Sequence, residues 1–467
     1  MFAPRDMTEG SPWKNLLIFT IPMLFGNIVQ QLYSTVDAIV VGQFMGNDGD
    51  NALAAIGSTM PLLFLISVLL IGISSGAGIM VSQYFGAKKR EELSFSIGTC
   101  ITAITVCGLF MMIIFPLGTR PLLELIRTPE GNVLDWAVDY LNILLWGALG
   151  QAFYNILTGI LRGLGDSLSA LLYLIIACLL NIALDLLFVA VFGWGVAGAA
   201  VATIIAQFVS GALCLWRLFQ MRATFDIGVK YLRPTKAYML PMIKLGLPTG
   251  ASQAIFSLAM VLVQSLTNSF GEMFIAANVI VMRIDGFVVM PIFSFANAIM
   301  VFAGQNMGAG KIDRVRQGTK QCAFMSAGTS FVIVLGILFF GRAIAGLFTD
   351  TEEIIETSMR MLRVLAAGYI VFALGQVFWS VIRGAGDTMT PMWASLISVV
   401  AVRVPSAYLL VYLMKEPDAL FYSLLVSWSF TALLSVFAYR KGTWRDKGIV
   451  RGEAGEGIDF QVEGEAK

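Results

Sequence analysis

Residues 161–173, LRGLGDSLSALLY, return as residues 382–394, IRGAGDTMTPMWA. Both carry Arg-Gly-x-Gly-Asp-Ser/Thr ahead of an apolar run, with Arg162 answering Arg383 at an offset of 221 residues. A second pair, SQYFGAKK (82–89) and GQNMGAGK (304–311), repeats at an offset of 222. Two separate matches at nearly one offset make the chain a duplication. The motif itself reads as a helix end, with glycine in the left-handed conformation and Asp capping the next helix. It shapes a turn more than it carries chemistry.

The 467 residues are 57% hydrophobic and 13% charged, with a mean hydropathy of +0.80. Soluble domains carry roughly 25% charged residues, so the chain reads as an all-α integral membrane protein. A spanning helix needs about 20 mostly apolar residues. Twelve candidates fall near 16–41, 53–82, 95–117, 134–158, 168–192, 196–219, 242–270, 275–303, 320–348, 360–382, 389–413 and 419–439. The duplication divides them into two pseudo-symmetric six-helix lobes, 1–225 and 226–440. Residues 441–467, with their Gly and Glu, are expected to form a disordered tail. An even number of spans per half makes the repeats parallel, related by an axis along the membrane normal. Such pairs hold substrate between the halves and alternate access by rocking.

Lys and Arg gather in alternate loops, near 88–90, 217–236, 311–320 and 440–447. The opposite loops hold Asp48, Asp50, Glu272, Glu352, Glu353, Glu416 and Asp418. The positive-inside bias then places both termini in the cytoplasm, and the chain is expected to be a multi-pass protein of the cell (inner) membrane. The polar start, MFAPRDMTEGSPWKN, precedes a run long enough to span, which argues against a cleaved signal peptide.

Several chemistries are excluded. The chain has no histidine, which removes a Ser-His-Asp triad, a His-ligated metal and an imidazole relay. Cys100, Cys107, Cys178, Cys214 and Cys322 all fall in apolar runs without paired spacing, as small buried apolar residues do. Gly310-Lys311 is followed by Ile312, so the phosphate-loop pattern fails. No HExxH or clustered DDxxD is present. The chain is not expected to be an enzyme or to carry a cofactor, and a net charge of +1 offers no field for nucleic acid.

Polar residues inside the spans carry the functional reading, because each ionisable group at a helix centre costs about 2.5–3.5 kcal/mol on insertion scales. On the first span Asn27, Gln30, Ser34 and Asp37 share a face about 80° wide at 100° per residue. In the fifth span Asn181 and Asp185 stand four apart on one face. Thr203 sits among small residues of the sixth span, VAGAAVATIIAQ. Asp185 and Thr203 come out about 10 Å below the outer surface at 1.5 Å per residue, with Asp37 somewhat nearer it. Two carboxyls, an amide and a hydroxyl at similar depth form an oxygen-rich pocket suited to H⁺ or Na⁺. No other metal site is expected. The second half lacks these acids and offers Arg403, at comparable depth to Asp285, with Arg283 beside it. An ion pair between Arg403 and Asp285 is expected there.

With these residues in view, the chain resembles the multidrug and toxic compound extrusion (MATE) family over nearly its whole length. VDAIVVG (36–42), SQYFGAKK, LRGLGDS (161–167), NIALDLLFVAVFGWGVAGAAVAT (181–203) and GQNMGAGK carry the resemblance. It implies a twelve-helix, two-lobed antiporter that expels organic cations and drugs using H⁺ or Na⁺. The family's N-lobe cation site would map onto Asp37, Asn181, Asp185 and Thr203, and its helix-bending proline onto Pro22. The NorM-like branch carries further acids in helices 7 and 10. Here those segments hold only Gln253, Gln264 and Gln376, so the chain looks closer to the DinF-like branch.

Asn27, Gln30, Tyr33, Ser34, Gln151, Tyr154, Asn155 and Gln376 are the expected substrate-cavity residues, and the expected working form is a monomer in the bilayer. The rival is a flippase or exporter of a lipid-linked or anionic amphiphile on the same fold, for which Arg283 and Arg403 leave room.

Overall fold

Pro12 opens the first helix, where its missing backbone N–H would have no intrahelical partner in any case. The computed structural model describes residues 4–45, 48–126 and 128–450, apart from the side chains of Ser34 and Ala38. Among the described residues, eleven helices and one bent pair are long and apolar enough to cross a bilayer. They are α1 (Pro12–Phe44), α2 (Gly49–Gly86), α3 (Arg90–Leu125), α4 (Asn132–Trp146 with Ala148–Gly163), α5 (Ser167–Val191) and α6 (Gly195–Gln220) in the first lobe. The second holds α7 (Lys236–Asn268), α8 (Glu272–Gly308), α9 (Ile312–Ala345), α10 (Glu352–Gly384), α11 (Met389–Met414) and α12 (Ala419–Lys441). All twelve expected spans are present. The 51° bend of α4 falls at Gly147, where any side chain would run into Ile204 of α6. Pro22, Pro61, Pro241, Pro248 and Pro291 sit inside unbroken helices, as membrane helices tolerate.

The duplicated motif builds the same turn twice. Gly165 and Gly386 take φ of +85° and +107°. Asp166 then caps α5, accepting from Ser169 N at 3.0 Å and Ser169 Oγ at 2.8 Å. Asp387 does the same for Thr390 N at 3.0 Å and Thr390 Oγ1 at 2.7 Å. Among the described residues only the first turn adds an ion pair, Arg217 Nε to Asp166 Oδ2 at 2.8 Å, almost fully buried.

Within the first lobe α2 packs on α4, and in the second α10 packs on α8, α9 and α12. Between the lobes α2 lies along α7 and α8, while α1 touches both α5 of its own lobe and α8 of the other. The closest inter-lobe approaches join backbones. A Cβ on Gly72 or Gly76 would collide with α7 at Met242–Gly250, one on Gly86 with the Gln305 carbonyl, and one on Gly308 with the Gln83 carbonyl. These contacts lie between the membrane middle and the face that carries both termini and the basic loops, called here the basic face.

Residues 443–450 differ from the expected disordered tail. Trp444 is buried against Tyr439 of α12 and Val450 is buried in a cluster made mostly of first-lobe residues, because both side chains are apolar enough to pack. Residues 451–467 lie outside the described residues.

Candidate functional site

In the first lobe the structure gathers the residues that the spacing argument grouped. Asp37 of α1 faces Asp185 of α5, Asp185 lies against Asn181, and Tyr33 of α1 reaches toward Thr203 of α6. Asn181 and Asp185 are fully buried and Thr203 is 9% exposed. Directly after Asp185 the helix widens into a π turn, Leu186–Val191, a distortion that recurs at functional sites. Around the cluster Val40, Val41, Ile56, Val189 and Ala199 make an apolar shell.

These groups approach one another without completing hydrogen bonds. Among the described residues, Oδ1 of Asp37, both carboxyl oxygens of Asp185, both amide atoms of Asn181 and the Tyr33 hydroxyl are buried without a partner. Buried polar atoms are nearly always paired, so a cluster of orphans is a candidate site for a proton or ion. Two adjacent carboxyls in a low-dielectric interior cannot both stay charged without one. Among the described residues no group of three or more His, Cys, Asp and Glu forms. A cation here would take oxygen from two carboxyls, one amide and the hydroxyls, a set that suits a hard ion.

Tyr140 also belongs to the cluster, and the spacing argument missed it. It is 5% exposed on the first half of α4, and the charges of Asp37 and Asp185 reach its hydroxyl. In NVLDWAVDYLNILLW it stands among Asp139 and Asn142, and nothing in that spacing singles it out.

The other expected cavity residues scatter. Asn27 Nδ2 donates to Ser294 Oγ of α8 at 3.1 Å, which joins α1 to the second lobe. Gln151 Nε2 reaches Ser67 Oγ at 3.3 Å, and the Asn155 carbonyl accepts from Ser74 Oγ at 2.5 Å, so both fasten α4 to α2. Tyr154 sits near Arg162 and Cys214 inside the lobe. Gln30 is exposed, Pro22 lies within an unbroken α1, and the Ser34 side chain is outside the described set. Gln376 lies in the other lobe, in a cavity of about 80 Å³ that Arg403, Ser398 and Trp428 also line.

The second-lobe cluster is smaller than expected. Asp285 faces Tyr369 of α10, within reach of the Arg403 charge. No ion pair joins Asp285 to Arg403 among the described residues, and Asp285 Oδ1 and the Tyr369 hydroxyl have no partner there. Arg283 is exposed and takes no part. It precedes Asp285 by two residues, which turns it about 200° away on a helix.

Comparison with known proteins places this arrangement. The MatE family model matches residues 22–187 and 248–409. The probable multidrug resistance protein YoeA of Bacillus subtilis is 30% identical over 455 residues, covering 96% of this chain and 97% of its own length. A probable multidrug resistance protein NorM of Thermotoga maritima is 24% identical over 94% of this chain and 95% of its own. A solved outward-facing multidrug resistance transporter of the same family superposes with a TM-score of 0.86 at 25% identity, over 93% of this chain and 96% of its own.

Proposed function

Because the chain belongs to the MATE family of multi-pass membrane transporters, we propose that it exports organic cations, drugs or toxic metabolites in exchange for H⁺ or Na⁺. The observation that carries this reading is the orphaned, buried Asp37–Asp185 pair. The relatives' names, multidrug resistance proteins, support drugs as the substrate class. The positive-inside bias makes the basic face cytoplasmic and both termini internal, in the inner membrane. The inter-lobe contacts close that face, so this conformer is outward-facing.

Coupling works through α1. That helix packs on α5 through the acid pair and on α8 through Asn27 and Ser294. Binding H⁺ or Na⁺ at Asp37 and Asp185 changes how α1 seats against α5, narrowing the central cavity and expelling the substrate. After the lobes rock, the cation leaves to the cytoplasm and substrate binds again. Each ligand moves this equilibrium only by its differential affinity for the two states. The protein acts as a monomer in this scheme, since each chain holds both lobes.

Ethidium efflux from cells depleted of other pumps tests it, with wild type, Asp37→Asn and Asp185→Asn, with and without a protonophore and Na⁺. Wild type should pump, and both variants should fail while reaching the membrane at normal levels. Variants that pump as well as wild type would make the acids structural. A wild type that moves no organic cation would turn attention to lipid-linked or anionic amphiphiles.

A further inference from the structure

Arg403 holds a guanidinium inside the second lobe, 6% exposed. Its neighbours are poor acceptors. Nη2 donates to Met260 Sδ at 3.4 Å, the Phe256 ring lies 5.8 Å away, and Nε has no partner among the described residues. A thioether and a ring face leave most of its five donors without the anionic acceptor that such a fork fits best. Beside it lies the cavity of about 80 Å³. Asp285, the acid that its charge reaches, does not line that cavity.

The backbone is shaped for this arrangement. The π turn Ser398–Arg403 interrupts α11, and both its first and last residues line the cavity. Five residues apart on an α-helix point about 140° away from each other, and the wider i→i+5 turn brings them to one wall. Beside that wall Ser398 Oγ meets Ser427 Oγ at 3.1 Å and Thr431 Oγ1 at 2.5 Å, and Thr431 Oγ1 donates to the Ser427 carbonyl at 2.8 Å, so Ser427 holds the one hydroxyl proton of the three that is left to donate inward.

We propose that this cavity is a subsite for a small anionic group, the carboxylate or comparable oxyanion of an amphoteric substrate, with Arg403 as its charged contact. Its use in transport rests on the efflux reading, while its existence does not. The N-lobe acids would then govern the ion, and Arg403 would discriminate among substrates that carry an acidic group.

The subsite is read first without any transported compound. Purified protein is heated with benzoate or with benzamide, its neutral isostere. Benzoate should raise the melting temperature of wild type and benzamide should not. Arg403→Gln should abolish the difference, Arg403→Lys should keep part of it, and Gln376→Met, which leaves the guanidinium in place, should keep most. Equal response to both compounds, response to neither, or full selectivity in Arg403→Gln would overturn the proposal. Dye binding then asks about use. Rhodamine 110, a free acid, should lose about tenfold or more in affinity in Arg403→Gln, the scale of one charge-assisted hydrogen bond. Rhodamine 123, its methyl ester, should change less than about twofold. Parallel loss of both dyes would mean that Arg403 is structural. Loss of dye binding in wild type with benzoate selectivity intact would strike the efflux reading alone.

A separate set of contacts, at the basic face, carries a second inference. Gln305 of the second lobe donates to the Gly163 carbonyl of the first at 3.1 Å and accepts from Met7 N at 2.8 Å. Gln83 of the first lobe donates to the Gly384 carbonyl of the second at 2.9 Å and accepts from Ile449 N at 2.7 Å. Each terminal segment thereby bridges the lobes, since the Arg5 backbone also lies against Gly165 of the first lobe and the Lys447 carbonyl against Gly386 of the second. Met7, which precedes α1 of the first lobe, is fully buried in a cluster that joins Leu16 and Phe19 of α1 to Phe295, Phe302 and other second-lobe residues. Val450, which follows the last helix of the second lobe, is buried in a cluster made mostly of first-lobe residues, with Met242 and Leu245 of α7. Arg314 Nη2 also donates to the Met7 and Glu9 carbonyls, at 3.1 and 2.6 Å.

We infer that the two terminal segments are reciprocal straps which hold the basic face shut, each locked by one glutamine, and that both release when the lobes part. Hydrogen exchange on the full chain in lipid nanodiscs tests the reciprocity. Gln305→Leu and, separately, Arg314→Ala should raise exchange by about tenfold or more at 4–10 and also at 443–450. The second segment touches neither substituted residue in the contacts above, so its response reports the shared closure. Faster exchange confined to 4–10 in both variants, or none in either, would overturn it.

Discussion

The two lobes share a fold and differ in the sign of the charged group buried next to the π turn of the fifth helix in each. In the first, α1, α4, α5 and α6 surround two carboxyls, an amide and hydroxyls. In the second, α8, α10 and α11 surround Arg403 with one carboxyl, Asp285, and Tyr369. Arg403 lies sixteen residues beyond Asp387, and Asp185 nineteen beyond Asp166, so duplication put two opposite charges within about one helical turn of the same depth. The π turns differ as well, following Asp185 in one lobe and ending on Arg403 in the other. Turn and packing positions were kept through duplication while the polar interior diverged, so the shared motif says where the lobes bend and nothing about what they bind.

The largest expected effect breaks the first lobe's half of this contrast. Asp37 and Asp185 face each other as one unit, so their substitutions should not add. Asp37→Asn/Asp185→Asn should lose coupled efflux no more completely than either single variant, each falling to the empty-vector rate. Two partial, additive losses would mean that the carboxyls serve separate ions.

Next comes a contrast in stability between the two copies of the turn. Asp166 caps α5 and also holds the buried Arg217, whereas Asp387 caps only Thr390. Breaking a buried ion pair costs about 3–5 kcal/mol, and losing a cap about 1 kcal/mol. Asp166→Ala should therefore lower the melting temperature of purified protein well beyond Asp387→Ala. Equal shifts would show that Arg217 finds another acceptor or reaches water.

How much of this was legible in the sequence follows from what each feature demands of its residues. Tight turns need glycine at positive φ and an Asp cap, so RGLGD and RGAGD announced the duplication. An acid in an apolar run is expensive, so Asp37 and Asp185 stood out, and helical spacing put Asn181 beside Asp185. Depth alone misled where azimuth mattered, since Arg283 and Asp285 share a depth and face opposite ways. Tyr140 and Tyr369 gave no signal, because a tyrosine in a span is ordinary. A π turn is invisible to a period of 3.6, so the wall that Arg403 shares with Ser398 could not be foreseen. The roles of Gln83 and Gln305 depend on the other lobe and on chain ends hundreds of residues away, which no local pattern records.

Tyr140→Phe sharpens the first-lobe side of the comparison with a smaller effect. It removes one hydroxyl near both acids and keeps the ring in its apolar shell. Losing one neutral hydrogen-bonding group costs about 1 kcal/mol, or about fivefold in affinity. The ion concentration giving half-maximal efflux should rise by that factor while expression and melting temperature stay unchanged. An unchanged ion dependence would confine the site to α1, α5 and α6.

The smallest effect concerns the linker that ties the lobes on the basic face. Arg90 Nη2 contacts Asp226 at 2.7 Å, and Lys230 Nζ contacts Glu91 at 3.0 Å. The Arg90 hydrogen bond holds the Asp226 carboxyl below its ordinary value, and the Glu91 hydrogen bond raises the Lys230 ammonium above its own. The signs set a window. The Asp226 clamp acts above the ordinary aspartate range and is lost as pH falls through its lowered value, while the Lys230 clamp acts below the ordinary lysine range and is lost as pH rises through its raised one. Both pairs therefore hold at neutral pH, and both are exposed enough for salt to screen them. Asp226→Asn should speed tryptic cleavage of the 222–236 linker by at most a few-fold at low salt, with the difference vanishing in high salt. A difference that survives high salt would mean that the linker is held by the packing of Tyr231 and Tyr238 on Phe95, with charge playing no part.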